Sequence, residues 1–204
     1  MTGLFITFEG VECAGKSTVS RMVAERLRKN GYNVILTSEP AGGRLGMDIR
    51  KYVLSKDVTV EGEALLFNVS RYFHVKDVIL PALEEGKVVL CDRFCDSTFV
   101  YQGIVGGLGV DRLVEMHEEF IGIWPDLTFV FDVDVETAMC RLLERKKVDR
   151  FEKRGRIFLE RVRNAYLDLV NKFDFRKMII VDSTKAVEDV AGDVFKAVIK
   201  KFKG

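Results

Sequence analysis

One short segment of the sequence combines glycines, a lysine and a hydroxyl group at a spacing suited to phosphate chemistry. The segment is GVECAGKST, residues 10–18, and it matches the pattern G-x-x-x-x-G-K-[S/T] completely. The glycines let the backbone turn so that its N–H groups converge on phosphate oxygens at the start of a helix. Lys16 would neutralise the β- and γ-phosphates, and the Ser17 hydroxyl would help to bind Mg²⁺. We therefore predict a nucleoside triphosphate site that is formed by Gly10, Val11, Glu12, Cys13, Ala14, Gly15, Lys16, Ser17 and Thr18.

A second set of charged residues is suited to holding another phosphate group. Asp92 and Arg93 directly follow an apolar, β-prone run, and ligands of doubly wound sheets bind at the carboxyl ends of the strands. Asp92 is placed to reach Mg²⁺ through water, and the guanidinium of Arg93 suits a phosphate better than a lysine does. Arg50 and Arg71 are further candidates for the same anion. These residues suggest a phosphoryl donor that faces a phosphorylated acceptor.

Transfer to such an acceptor needs no general base, because its phosphate oxygen is already ionised at neutral pH. Catalysis would then consist of positioning the two reactants and neutralising their crowded negative charge. We predict Lys16, Mg²⁺ and Arg93 for this role, and we assign no general base to His74, His117 or Asp92.

Two four-letter motifs are typical of a different class of protein, a nucleotide-dependent switch. Residues 171–174 read NKFD and residues 189–192 read DVAG, which match two GTPase patterns. NKFD follows a helical run instead of a strand, and DVAG comes later in the chain, inside a predicted helix. Neither position suits its motif, so we interpret both as coincidences.

Apolar runs and helical periodicities alternate along the chain, and these elements must position the charged groups. Five β-prone runs are apolar on both faces, as in buried strands of a parallel sheet: residues 3–8, 33–37, 87–91, 127–132 and 177–182. Helical periodicity covers residues 16–29, 44–54, 61–84, 97–101, 110–121, 135–145, 155–173 and 186–202. This alternation predicts an α/β, doubly wound fold. We see no linker and predict a single domain over residues 1–204.

The overall composition argues against some classes of partner. The 204 residues include 32 basic and 31 acidic side chains, and the net charge of +1 argues against bulk electrostatic binding of nucleic acid. No apolar run approaches the roughly 18 residues needed to span a bilayer, and the start of the chain lacks a secretory signal pattern. The four cysteines are scattered without a C-x-x-C pair, which indicates thiols in a reducing cytoplasm and disfavours a zinc site.

Several longer segments resemble, in order and with the right spacing, those of the bacterial thymidylate kinase family. FITFEGVECAGKST resembles its donor loop, and TSEPAGG resembles its acceptor segment. LLFNVSRYFHVKDVILPAL resembles the base-binding helix, and DRFCDSTFVYQG matches the signature D-R-[YF]-x-x-S-x-x-x-Y-Q-G. PDLTFVFDVDVETAMCRLLERKKVDRFE, followed by FLERVRNAYLDL, resembles the lid region and the helix behind it. The resemblance extends over the whole chain.

The resemblance implies a fold, a reaction and a set of partners. The fold is a five-stranded parallel sheet of the P-loop type with a small mobile lid, here at about residues 141–155. The reaction transfers the γ-phosphoryl group of ATP, with Mg²⁺, to dTMP and gives ADP and dTDP for dTTP synthesis. The assembly is a homodimer.

By matching position, the resemblance assigns roles at the acceptor base. Phe67 would stack on thymine, and Arg71 would donate a hydrogen bond to its carbonyl edge. Ser97, Thr98 and Gln102 would complete the recognition of the base. The full acceptor set implied by the resemblance is Glu12, Glu39, Arg50, Phe67, Arg71, Arg93, Ser97, Thr98, Tyr101 and Gln102.

The same matching assigns roles at the sugar and the phosphate of the acceptor. Tyr101 would crowd the 2′ position and favour deoxyribose, while Glu12 would approach the 3′-hydroxyl. Arg50 and Arg93 would hold the phosphate group.

Arginines on the lid would replace a charge that the donor loop lacks. Family members without an arginine in the loop place catalytic arginines on the lid, and here Cys13 occupies that loop position. The lid offers Arg141 at the ATP site, and it offers Arg145 and Arg150 as catalytic residues. Lid closure would bring positive charge to the transferred phosphoryl group and would expel water.

The sequence departs from the family pattern at four positions. Ser38 stands where an arginine usually lies near the acceptor phosphate, so Arg44 or another group would have to supply that charge. Ser70 replaces a common aspartate, Ala41 replaces a glycine, and Leu143 occupies a lid position that is often basic. These departures bear on the affinity for the acceptor and leave the reaction class unchanged.

Three other functions are compatible with the donor loop. Another pyrimidine nucleoside monophosphate kinase, for UMP, CMP or dCMP, is disfavoured by Phe67, Arg71 and Gln102. A nucleoside kinase would need a general base and would not need arginines for an acceptor phosphate. A nucleotide-binding switch or an inactive module would keep the loop but lack the lid and acceptor arginines, and both sets are present.

Overall fold

The computed structural model describes residues 3–144, 151 and 154–203, and its centre is a sheet of five parallel strands. The strands are β1 (Leu4–Gly10), β2 (Val34–Ser38), β3 (Val88–Asp92), β4 (Leu127–Asp132) and β5 (Met178–Asp182). They lie in the order β2-β3-β1-β4-β5. Each of the five predicted strands is confirmed, within two residues of its predicted bounds.

The central strand is β1, and all seven of its residues are buried. Leu4 of β1 aligns with Val88 of β3 on one side, and Ile6 aligns with Leu127 of β4 on the other. A strand that is covered on both faces and paired on both edges favours apolar side chains, which explains Leu4, Phe5, Ile6 and Phe8. The register brings the carboxyl ends of β1, β2 and β3 to one edge of the sheet.

Helices flank the sheet and confirm the α/β, doubly wound class. They are α1 (Lys16–Lys29), α2 (Gly46–Ser55), α3 (Val60–His74), α4 (Leu80–Glu84), α5 (Cys95–Thr98), α6 (Val110–Phe120), α7 (Val135–Leu143), α8 (Gly155–Lys172) and α9 (Val187–Lys203). α1 packs on β1, β2, β3 and α9, whereas α8 packs on β1, β4 and β5. The NKFD motif falls at the end of α8 and DVAG lies within α9, so neither follows a strand.

Two helical stretches contain a π-helical segment that the sequence did not predict. The predicted helix 61–84 runs through α3, a first π-helical segment Val75–Ile79, and α4. The predicted helix 97–101 is α5 continued by a second π-helical segment, Phe99–Val105. Over one turn, the apolar spacing of an α- and a π-helix differs too little for hydrophobic periodicity to separate them.

Side-chain caps fix the start of two helices near the site. The Thr59 hydroxyl accepts a hydrogen bond from the Gly62 N–H at 3.2 Å at the start of α3. Asp134 accepts one from the Thr137 N–H at 2.7 Å at the start of α7. Such caps satisfy N–H groups that have no partner within the helix.

The described residues also bear on the predictions about cysteines, metal sites and membrane-spanning helices. Cys13, Cys91 and Cys95 are buried thiols, and Cys140 is an exposed one. In the described ranges, no group of three or more His, Cys, Asp or Glu side chains is arranged to hold a metal ion. No helix in this part of the chain combines the length and apolar composition needed to cross a bilayer.

Candidate active site

A cavity of about 330 Å³ lies at the carboxyl ends of β1, β2 and β3. The loop after β1 lines it together with residues of α2, α3, the β3 end and the second π-helical segment. All ten predicted acceptor residues border this cavity, which we call the acceptor cleft, and so do Lys16, Ser17 and Asp92. The fold therefore brings together side chains that lie far apart in the sequence.

The backbone of the donor loop requires glycine at both ends. Gly10 has φ 133°, and a Cβ atom there would lie 2.5 Å from the Phe131 carbonyl oxygen of β4. Gly15 has φ 86° and directly precedes α1. No side chain among the described residues caps α1, so the N–H groups of its first turn are available to an anion.

Lys16 is buried inside the donor loop and contacts backbone carbonyl groups. Its Nζ donates hydrogen bonds to Gly10 O at 3.0 Å and to Val11 O at 2.7 Å. Burial, reinforced by the positive charge of Arg93, lowers the pKa of Lys16 to about 8. Phosphate oxygens would be stronger acceptors for this ammonium group than neutral carbonyls are.

Ser17 and Asp92 place two oxygen ligands side by side. Ser17 lies in the first turn of α1 and Asp92 ends β3, and the serine hydroxyl donates a hydrogen bond to Asp92 Oδ2. Mg²⁺ prefers oxygen ligands and takes one or two carboxylates together with substrate phosphates. The predicted pair therefore fits a magnesium ion.

A second cavity lies on the other side of the donor loop. Gly15, Thr18, Arg141 and Lys185 are among the residues that line it. Arg141, on α7, donates hydrogen bonds to Cys13 O at 3.3 Å and to the carbonyl oxygen of residue 183 at 3.1 Å. The predicted ATP-site arginine thus lies against the loop, whereas the sequence did not predict Lys185.

Much of the predicted lid lies outside the described residues, including the proposed catalytic residues Arg145 and Arg150. Within the described part, Phe151 borders the acceptor cleft, and its ring lies edge-on to Tyr101 at 6.1 Å between centroids. The guanidinium of Arg154 lies 4.9 Å from the Phe151 ring. Phe151 is a cleft residue that the sequence reasoning missed, because an aromatic residue inside a charged run gave no separate signal.

Arg71 is buried, and its guanidinium is held from two sides. Nε donates to Glu39 Oε2 at 2.8 Å, and Nη2 donates to Thr98 Oγ1 at 2.9 Å and to Phe94 O at 3.1 Å. The remaining nitrogen, Nη1, is buried and has no acceptor among the described residues. A buried donor left without a partner costs about 1–3 kcal/mol, so Nη1 suits an acceptor on a bound ligand.

Glu39 is held by the protein through both of its oxygens. Oε2 accepts from Arg71, and Oε1 lies 3.1 Å from His74 Nδ1, whose other ring nitrogen lies 2.7 Å from Thr37 Oγ1. A Cβ atom at Gly42 would lie 2.3 Å from the His74 ring, so only glycine fits there. Glu39 borders the cleft, and its described contacts hold Arg71 in place.

A second buried polar pair reaches the acceptor cleft through Gln102. Gln102 Nε2 donates a hydrogen bond to Glu63 Oε2 at 2.8 Å. Gln102 belongs to the second π-helical segment, and Glu63 lies in the first turn of α3. Phe67 lies between Glu63 and Arg71 along α3, is partly buried and borders the same cavity.

Tyr101 and Glu12 form a polar pair beside the donor loop. The Tyr101 hydroxyl donates to Glu12 Oε1 at 2.5 Å, while Glu12 Oε2 is buried without a donor among the described residues. Burial, followed by the neighbouring charge of Glu12, raises the pKa of Tyr101 well above its ordinary value. Arg93 Nη2 lies 3.5 Å from Glu12 Oε1 and completes this group.

The backbone of Arg93 is left-handed, with φ 71°. A residue other than glycine in this conformation costs about 1–3 kcal/mol and persists only where its surroundings impose it. Here its N–H donates to Phe8 O at 3.0 Å, and its Nη1 donates to Ser97 Oγ at 3.1 Å and to Tyr166 OH at 3.3 Å. These contacts direct the guanidinium into the cleft.

Glu9 is a buried carboxylate behind Arg93 that the sequence reasoning missed. It accepts hydrogen bonds from the Phe94 N–H at 2.6 Å, Ser97 Oγ at 2.7 Å and Tyr166 OH at 3.0 Å. Burial, with the negative charge of Asp96, raises the pKa of Glu9 to about 7. The signal for it was an acidic residue directly after the apolar run 3–8, at the end of β1.

The structure also locates the residues that differ from the family pattern. Arg44, a suggested substitute for an arginine at Ser38, forms an ion pair with Asp77 at 2.6 Å and does not border the cleft. Arg50, on α2, does border it and is exposed. Ser70 Oγ donates to the carbonyl oxygen of residue 40 at 2.8 Å and fastens the segment after β2.

Known proteins resemble the chain over most of its length. A family model described as thymidylate kinase matches residues 8–194. The chain is 43% identical to a thymidylate kinase of Pseudomonas putida (strain GB-1), over 95% of this chain and 94% of that protein. It is also 43% identical to a thymidylate kinase of Halothermothrix orenii, over 97% of both chains. The crystal structure of a thymidylate kinase from Ehrlichia chaffeensis matches with a TM-score of 0.77 at 30% identity, over 97% of this chain and 99% of that one.

Proposed function

The chain belongs to the thymidylate kinase family of nucleoside monophosphate kinases, and we propose how its own residues carry out the transfer from ATP to dTMP. One observation supports the proposal above all others. Lys16 of the donor loop lines the same cleft as the three arginines Arg50, Arg71 and Arg93. A γ-phosphoryl group bound at the loop would thus face a phosphate acceptor in the cleft, and the products would be ADP and dTDP.

The base of dTMP would bind between Phe67 and the polar groups of the cleft wall. Phe67 provides an aromatic face for stacking, and Arg71 Nη1 is a buried donor without an acceptor among the described residues. Thymine presents a carbonyl oxygen at ring position 4, whereas cytosine presents an amino group there. Because an amino group cannot accept the Arg71 hydrogen bond, the cleft favours thymine over cytosine.

The sugar and the phosphate of dTMP would bind nearer the donor loop. Glu12 Oε2 is a buried acceptor without a donor among the described residues, so it suits the 3′-hydroxyl. Tyr101 is fixed by its hydrogen bond to Glu12, and its ring would crowd a 2′-hydroxyl. Arg50 and Arg93 would hold the phosphate, and Arg93 is already oriented by Ser97.

The transfer itself would rely on charge neutralisation. Lys16 would exchange its two carbonyl partners for phosphate oxygens, and Arg93 would hold the attacking phosphate of the acceptor in line. Ser17 and Asp92 would hold Mg²⁺, which supplies positive charge to the donor phosphates. No side chain has to remove a proton, because the acceptor oxygen is already ionised.

The lid arginines would add charge in the transition state. Arg145 and Arg150 lie outside the described residues, and their role is supported by the lack of a cationic side chain at Cys13. Contacts made only on lid closure raise kcat more than they tighten ground-state binding. We expect Arg145→Ala and Arg150→Ala to lower kcat by roughly 10- to 1000-fold with smaller changes in KM. Wild-type kcat in both variants would contradict this role.

We also propose that the protein forms a homodimer through α3. Leu65, Val69 and Tyr72 are 60%, 45% and 41% exposed and recur at helical spacing on one face of this helix. An exposed apolar stripe of this kind is typical of a surface that is covered by a partner. Val69→Lys should then shift the protein from dimer to monomer in sedimentation velocity. A wild-type protein that sediments as a monomer at micromolar concentration would contradict the proposal.

We place the protein in the cytoplasm, without nucleic-acid or membrane partners. All four cysteines are thiols, which suits a reducing compartment. The nearly balanced charge of the chain gives no general attraction to polyanions.

The reaction is tested by measuring ADP formation over a panel of acceptors. With ATP and Mg²⁺, we expect kcat/KM to be highest for dTMP and lower for dUMP, dCMP, UMP and AMP. Lys16→Ala protein from the same purification serves as the control for contaminating kinases. A higher kcat/KM for any pyrimidine ribonucleotide than for dTMP would overturn the assignment of the acceptor.

A further inference from the structure

We propose that Glu63 is a positioning residue, which orients the Gln102 amide so that the cleft selects bases with an N–H group at ring position 3. The inference rests on the proposed function, since it concerns how the cleft reads the base of the acceptor. Gln102 and Glu63 are 2% and 3% exposed, and 2.8 Å separate Gln102 Nε2 from Glu63 Oε2. Glu63 itself does not border the acceptor cleft, whereas Gln102 does.

The orientation of the Gln102 amide matters because its two ends differ chemically. A glutamine side chain has a donor end and an acceptor end of nearly the same shape, so its orientation is set by its partners. An ionised carboxylate only accepts hydrogen bonds, and it can therefore bind only the nitrogen end. With Nε2 of Gln102 held by Glu63 outside the cleft, the oxygen end, Oε1, is turned toward the cleft.

The cleft then presents an acceptor beside a donor. Oε1 of Gln102 is the acceptor, and Nη1 of Arg71, buried without a described partner, is the donor. Thymine and uracil match this pair, because they carry a ring N–H next to a carbonyl oxygen. Cytosine has a ring nitrogen acceptor next to an amino group, and so it opposes both protein groups with like groups. A base that leaves buried polar groups unpaired is strongly rejected.

The position of Glu63 on α3 explains how one helix can control this recognition. Glu63, Phe67 and Arg71 are spaced four residues apart and therefore lie on one face of the helix. That face provides the aromatic ring that stacks on the base and the guanidinium that donates to it. Through Glu63, it also orients the Gln102 oxygen that accepts a hydrogen bond from the base. Glu61, two residues earlier, is exposed and carries the same charge in the same helical turn.

The experiment compares Glu63→Gln with the matched control Glu61→Gln. A glutamine at position 63 can bind either end of the Gln102 amide, so the orientation is no longer enforced. We expect the ratio of kcat/KM for dTMP to that for dCMP to fall by about tenfold in Glu63→Gln, chiefly through KM. The ratio of dTMP to dUMP should stay the same, because both bases carry the N–H group. Glu61→Gln should change neither ratio.

Two further variants keep the test decisive. Glu63→Asp retains the charge but withdraws the carboxylate by one methylene, and it should lower the same ratio if Glu63→Gln proves too unstable to assay. In a Gln102→Ala background, Glu63→Gln should leave the ratio unchanged, because Glu63 acts through Gln102.

The proposal is overturned if Glu63→Gln and Glu63→Asp keep the wild-type ratio of dTMP to dCMP. It is also overturned if they lower kcat/KM for both nucleotides equally together with the melting temperature, which a purely structural role predicts. Failure of the proposed function would look different, since the wild-type protein itself would then show no preference for dTMP.

Discussion

The donor loop and the acceptor cleft lie side by side but are built in different ways. The loop is nine consecutive residues, and most of its contacts to a phosphate would come from backbone N–H groups. The cleft is assembled from side chains of separate elements, and buried hydrogen bonds hold those side chains in place. The residues of the donor site are therefore contiguous in the sequence, whereas those of the acceptor site come from elements far apart in the chain.

The two sites also differ in how their positive charges are compensated. Lys16 is buried against neutral carbonyl groups, and burial lowers its pKa. Arg71 and Arg93, in contrast, lie beside the carboxylates of Glu39 and Glu12. The hydrogen bonds of Lys16 thus go to neutral groups, whereas Arg71 and Arg93 each contact a carboxylate.

The largest expected effect is the loss of phosphoryl transfer when only the donor site is changed. Lys16→Ala should lower kcat/KM by roughly a thousandfold or more, because it removes the cation that contacts the transferred phosphoryl group. The melting temperature should change little, because the cost of burying the ammonium group offsets its two hydrogen bonds to carbonyl groups. Lys29→Ala, at the exposed end of α1, is the matched control for loss of one charge. Near-normal turnover in Lys16→Ala would contradict the assignment of residues 10–18 as the site of the phosphoryl donor.

A somewhat smaller effect should be confined to the acceptor side. Arg71→Ala should lower kcat/KM for dTMP by about a hundredfold while the affinity for ATP stays within about twofold, as measured by titration of each nucleotide. It should also destabilise the fold by about 3–5 kcal/mol, because it leaves Glu39 Oε2 buried without its charged partner. Arg71→Lys keeps the charge and should restore stability more than dTMP binding. Equal weakening of both nucleotides would contradict the separation of the two sites.

Proton uptake on ligand binding would test the electrostatic difference between the two sites. Phosphates beside Lys16 favour its charged form, so ATP binding should raise its pKa from about 8 and take up as much as about half a proton near pH 8. Binding of dTMP should take up much less, since the cleft arginines are charged throughout. Calorimetry in buffers of different ionisation enthalpy measures both values. Equal proton uptake for the two ligands would refute the proposed difference.

The smallest effect concerns the carboxylate that supports Arg93. The pKa of Glu9 is raised from 4.5 to about 7, so between these values the folded protein binds more protons than the unfolded chain. The stability that protonated Glu9 contributes is therefore complete below about pH 4.5 and is lost as the pH rises through 7. Melting temperatures of the wild type should fall by a few degrees more over this range than those of Glu9→Gln. Parallel curves for the two proteins would show that Glu9 titrates as in the unfolded chain.

The sequence predicted the sheet and the loop well, because both depend on local patterns. Strands such as β3 are apolar on both faces, and the glycines and lysine of the loop are contiguous. Glu63, His74 and Glu9 were not predicted as site residues, since each acts through a partner on another element. The positions of Phe67 and Arg71 in the cleft came from resemblance, because aromatic and basic residues on a helix are more often core or surface residues.

The strand order affects how the chain folds during its synthesis on the ribosome. β1 is made first but lies at the centre of the sheet, so its neighbours β3 and β4 appear only much later in synthesis. At about 5–20 residues per second, the backbone N–H and C=O groups of β1 remain without their partner strands for on the order of ten seconds. During this time the nascent strand is a target for chaperones and for mispairing with other chains. Because Gly10 packs against Phe131 of β4, the donor loop is encoded near the start of the chain but acquires its shape only after most of the chain has been made.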